Sequence, residues 1–147
     1  ARDAGDTSWK RTVAMHDDVV RSVLAGFGGR EVETAGDSFL VVFDSAEGAI
    51  RCGLAIVRAL DAIRLPIRVG IQSGEVVVSD DQVRGLAVHA AARILDQAGS
   101  GEVLVSGTTR DLAEGATGLT FESRGRYRLK GLEREYELFA ATPPAGA

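Results

Sequence analysis

Apolar side chains return at helical spacing through Trp9, Val13, Val20, Val23 and Phe27, and the run closes on "GFGG" at 26–29. This predicts a first helix starting at an Asp6 or Thr7 cap and stopped by glycine. The period then changes. "REVET" alternates and "SFLVVF" is continuously apolar, with "AGD" between them, so two strands joined by a tight turn follow the helix. Ser45 can cap a second helix whose Ala49, Ile50, Gly53, Leu54, Val57 and Leu60 form one apolar face ending before Pro66. "IRVGI" and, after the Ser73-Gly74 turn, "EVVV" predict two more strands.

From Gly85 to Ala98 the pattern is helical again, with Ala87, Ala90, Ala91, Ile94, Leu95 and Ala98 on the packed side. "GSGEVLVS" gives a turn and a buried strand, Thr108 to Leu112 a short helix, and "FESRGRYRL" with "REYELFAA" a last hairpin around Lys130-Gly131. Helices separated by strands and hairpins indicate an α+β sandwich, with helices on one face of a mostly antiparallel sheet. Residues 1–140 make one domain and 141–147 a flexible tail by composition.

Composition narrows the possibilities. At 147 residues and 45% hydrophobic content the chain suits a single core, and a net charge of −4 supplies no field for nucleic acid or anionic lipid. The lone Cys52 excludes an internal disulfide and any multi-cysteine metal site, which fits a reducing, cytoplasmic setting. No apolar run approaches the roughly 20 residues of a membrane-spanning helix, so no membrane contact is expected from this segment. His16 and His89 stand apart from any zinc-spaced cluster or nucleophile. Gly26 and Gly28 do not open a helix after a strand, so they form no phosphate-binding fingerprint.

What chemistry remains lies in three places: the acids of "EVETAGD", a helix stripe and a late lysine. Gly85, His89 and Arg93 are spaced i, i+4, i+8, along one stripe opposite the alanine-rich face. Such stripes are most often solvated, but an arginine fork two turns past a glycine suits phosphate oxygens.

These segments also carry a family pattern. "TAGDSFLVVF", "IRVGIQSGEVV", "VRGLAVHAAARIL", "GEVLVSGTTRDL" and "FESRGRYRLKGL" follow one another as in class III nucleotidyl cyclase catalytic domains of the compact bacterial type, which the chain resembles from Trp9 to Phe139. The resemblance implies a ferredoxin-like α/β sandwich acting as a head-to-tail homodimer with shared sites. The ribose 3′-hydroxyl of a purine nucleoside triphosphate would attack the α-phosphorus, giving a 3′,5′-cyclic nucleotide and pyrophosphate. Two ions, Mg2+ or Mn2+, are implied as cofactors.

On this resemblance Asp37 is a metal ligand, Arg93 steadies the transferring phosphoryl group from the partner subunit, and Lys130 contacts the terminal phosphates. The family's other metal aspartate belongs to an opening strand that precedes the first residue here, so the domain is expected to lack its first strand. His89 stands where many relatives have a ribose-positioning asparagine. Glu33 and Gln82 stand where the purine is read. Adenylyl members use a lysine and an aspartate there, whereas a carboxylate suits the guanine N1 and N2 donors. Glu33 is therefore guanylyl-like and Gln82 selects neither base, with Asp81 adjacent. ATP is slightly favoured over GTP because most bacterial relatives make cyclic AMP. A guanylyl cyclase proper, and a catalytically weak cyclase-like module that binds nucleotide and regulates, remain as alternatives.

Overall fold

A computed structural model describes residues 2–35, 38–80 and 82–143, with side chains from residue 7 onward except 33–35. The first helix, α1 (Arg2–Phe27), starts before the expected Asp6 or Thr7 cap: the polar residues ahead of it continue the helix. It ends as expected, with Gly28 at φ +71 and the Gly29 N–H bonded to the Leu24 carbonyl, a left-handed glycine stop. Its buried ridge is His16, Val20 and Leu24, and Trp9 is exposed. The residues that face inward are set by the α1 contact with the next helix, which a single-helix period does not reveal.

β1 (Arg30–Ala35) and β2 (Ser38–Val42) pair antiparallel, with a bulge between Glu31 and Glu33. α2 (Ala46–Asp61) is capped by Ser45, whose hydroxyl accepts from the Gly48 N–H at 2.9 Å. This helix buries two sides. Cys52, Ile56 and Leu60 meet Val20 and Leu24 of α1, and Ile50 meets Val103, Val105 and Phe139.

β3 (Val69–Ile71), β6 (Val103–Ser106), β8 (Glu135–Thr142) and β7 (Thr120–Arg128) form a four-stranded sheet in that spatial order. β3 and β6 are parallel, and the other pairings in the sheet are antiparallel. Between β3 and β6 the chain forms a hairpin of β4 (Val77–Ser79) and β5 (Gln82–Arg84), then α3 (Leu86–Gln97). A short α4 (Gly107–Leu112) follows β6. β5 is absent from the sequence pattern because a three-residue Gln-Val-Arg strand buries only Val83.

One expectation needs correcting: helices cover both faces of this sheet. Val103 and Val105 face α2, whereas Leu104 joins Ala90, Ile94 and Ala98 of α3 in a separate core. Every residue of β6 is buried, as a strand covered on both sides requires. β8 also runs on through Thr142 with Ala141 buried, so Ala141, assigned to the tail by composition, belongs to the core. No helix among the described residues is long and apolar enough to cross a membrane.

Candidate functional site

α3 is held on the sheet by a glycine. A Cβ on Gly70 would stand 2.5 Å from the Leu95 backbone nitrogen and 2.9 Å from the Ala91 carbonyl, so only a bare backbone lets the helix sit this close. Gly85, at φ +144 ahead of α3, is demanded in the same way: its missing side chain would meet the Glu75 carbonyl at 2.9 Å. Gly85 therefore makes a close approach, but to this chain's own backbone.

With Ala90 and Ile94 buried against Leu129 and Leu132, α3 turns His89 and Arg93 outward. His89 is exposed and its Nε2 lies 3.1 Å from the Lys130 carbonyl oxygen, which joins α3 to the turn between β7 and β8. Arg93 is 35% exposed; its Nη1 donates to Asp96 Oδ2 at 3.2 Å. Its Nε is buried with no hydrogen-bond partner among the described residues. A buried donor without an acceptor costs free energy unless something else supplies one, and a phosphate oxygen is of the right kind. Asp96 was missed in the sequence, although its i+3 spacing from Arg93 on a helix was a usable signal.

Gln82 lies on β5 opposite Ser79, and its Oε1 accepts from Arg84 Nη2 at 2.9 Å. β5 lies against β1, the strand that carries Glu33 across from Leu40. Two residues far apart in sequence thus stand on touching strands. The side chain of Glu33, and Asp37 and Asp81 entirely, lie outside the described residues. The hairpin that bears Glu33 is anchored to α1. Arg21 donates to both carboxylate oxygens of Glu31, at 3.0 and 3.1 Å, and its guanidinium sits 5.2 Å from the centre of the Phe39 ring. His16 packs on the same ring at 6.0 Å.

The arrangement joins His89 to the Lys130 carbonyl, with Arg93 one turn further along α3, and sets the strand of Gln82 beside that of Glu33. A cleft of about 680 Å³ runs past Ser73, Leu86, Gly131 and Tyr136, and His89, Arg93, Gln82 and Lys130 are not among the residues that line it. Behind that cleft, the buried hydroxyls of Ser106 and Thr109 bond each other, Ser73 and Gln72, closing the ends of β3 and β6. Among the described residues no three carboxylate, imidazole or thiol side chains gather to hold a metal ion.

The sequence profile of the adenylate and guanylate cyclase catalytic domain matches residues 9–141. A Rhizobium meliloti protein provisionally named adenylate cyclase 3 is 30% identical over 139 residues, covering 89% of this chain and 24% of that protein. An uncharacterised Mycobacterium bovis protein is 34% identical over 127 residues, 83% of this chain and 44% of its own length. The chain thus spans less than half of either relative. A solved structure described as an adenylate/guanylate cyclase/hydrolase from Silicibacter pomeroyi superimposes with a TM-score of 0.83 at 27% identity, covering 99% of this chain and 90% of the other.

Proposed function

Because this chain belongs to the adenylate and guanylate cyclase catalytic domain family, we propose that it cyclises a purine nucleoside triphosphate, ATP slightly ahead of GTP, as part of a homodimer. The observation that carries this reading is the union of α3 with the β7–β8 turn. It joins the helix that carries His89 and Arg93 to the turn that carries Lys130, although these residues are far apart in the chain.

In the reaction the ribose 3′-oxygen forms a bond to the α-phosphorus, the bond from that phosphorus to the bridging oxygen breaks, and pyrophosphate leaves as the 3′-proton is lost. Negative charge grows on the α-phosphoryl and leaving oxygens. Arg93 answers that charge: its donors are fixed in a plane, and its buried Nε is already stripped of water. Lys130, exposed at its turn, reaches the terminal phosphates as a mobile point charge. His89 stands one helical turn before Arg93, where the family pattern has a ribose-orienting residue. Glu33 and Gln82 read the purine edge. A carboxylate there suits guanine, and the Gln82 amide can turn either way, which is why both nucleotides are kept.

Asp37 offers a hard oxygen donor of the type Mg2+ and Mn2+ take, and as a single ligand it needs others to complete a site. When bound, such ions neutralise the triphosphate and make the 3′-hydroxyl easier to deprotonate.

The deciding test is an assay for cyclic nucleotide and pyrophosphate with Mn2+ and either ATP or GTP, on a protein that includes any segment preceding residue 1. Product from either nucleotide is the expected outcome. Absence of product from both, with nucleotide still bound, would replace the enzyme by a nucleotide-binding regulator.

A further inference from the structure

The Lys130 side chain can serve the phosphates only if its backbone is held, and the turn that carries it is short. The Leu132 N–H closes the turn onto the Leu129 carbonyl at 3.0 Å, and Leu129 and Leu132 are both buried. Their burial anchors the two ends. The tip, Lys130 and Gly131, is exposed, so its own orientation needs another restraint.

His89 supplies one. Its Nε2 lies 3.1 Å from the Lys130 carbonyl oxygen, and because a carbonyl only accepts, Nε2 carries the proton and donates. Gly131 records how closely the imidazole is seated. It has φ +81, and a Cβ there would stand 2.9 Å from His89 Nε2 and 3.4 Å from Cε1. The ring therefore occupies the space a side chain at 131 would take, directly against the turn.

We propose that His89 is a positioning residue: it pins the Lys130 carbonyl and so fixes where the Lys130 ammonium starts its reach to the triphosphate, while Arg93 on the same helix keeps register with it. This inference rests on the cyclase reading of Lys130. It also changes the part assigned to position 89. A ribose-orienting group acts through its own donor on the substrate, whereas here the Nε2 proton is committed to the protein.

The two roles separate by reach. Gln places an amide N–H the same number of bonds from Cα as the imidazole Nε2, and Asn places it one bond short. The experiment measures KM and kcat for ATP and GTP, and amide hydrogen exchange at Gly131 and Leu132, in the wild type, H89A, H89N, H89Q, K130A and the H89A/K130A double variant. Loss of one net hydrogen bond predicts a KM raised about fivefold in H89A. H89N should match H89A and H89Q should return toward wild type, with exchange at the turn following the same order. Adding H89A to K130A should raise KM no further.

If H89N retains wild-type KM while H89Q behaves like H89A, position 89 serves the ribose and the proposal is wrong. Equal exchange at the turn in all variants overturns it too. A wild-type KM in K130A would instead strike the cyclase role of Lys130, and hydrogen exchange would still decide whether the pin exists.

Discussion

At the scale of single residues, Arg93 combines the two features a phosphoryl-stabilising group needs: a surface-directed fork and a desolvated Nε with no acceptor among the described residues. Its salt bridge to Asp96 is a half-exposed i,i+3 pair worth only about 0.5 kcal/mol, too little to hold it from a triphosphate. R93A should therefore lower kcat by about 100-fold, with an unchanged sedimentation profile; near wild-type turnover would remove Arg93 from the reaction. Glu33 is argued from its strand. β1 lies against the Gln82 strand, and a carboxylate there favours guanine donors. E33K should raise the ratio of ATP to GTP turnover, by about tenfold if one buried mismatched pair is relieved. A ratio equal to wild type places Glu33 outside the purine pocket.

At the scale of elements, the position of the site depends on how near α3 comes to the sheet. Gly70 is the contact point, and the atoms that would meet a Cβ there are backbone, which cannot rotate away. G70A should cost about 3 kcal/mol of stability, read as a lower urea midpoint. It should also weaken turnover by shifting His89 and Arg93 relative to Lys130. An unchanged midpoint would mean α3 yields easily and its packing does not set the site. Much of α3 was legible beforehand: the alanine-rich face, the outward stripe and the Gly85 start all follow from period and residue type. The close contact at Gly70 was not, because "IRVGI" states an alternating strand without naming the helix that will lie on it. β5 stayed hidden for a different reason: a lone buried valine between two polar residues carries no period.

At the scale of the whole molecule, three clusters divide the core among the described residues: α1 with α2, α2 with the sheet, and the sheet with α3. Cys52 sits at 0% exposure in the first of these, and burial pushes its thiol from 9.0 up to about 11. The sign follows from proton binding. Below pH 9 both folded and unfolded thiols are protonated. Between about 9 and 11 the unfolded chain ionises while the folded one keeps its proton, so stability falls as pH rises through that window. The urea midpoint should drop across this range in the wild type and drop less in C52A, itself less stable overall; equal slopes would mean Cys52 does not contribute. Sequence alone determined the order of most elements, the Ser45 cap, the glycine stop of α1 and the motif order that marks the family, because these rest on local period, capping chemistry and ordered short patterns. Only the tertiary structure decided that helices cover both faces of the sheet, that Trp9 faces outward while His16 turns in, and that His89 grips the Lys130 turn. Each of those depends on which surfaces meet across long stretches of chain, and periodicity within one segment carries no information about its partner.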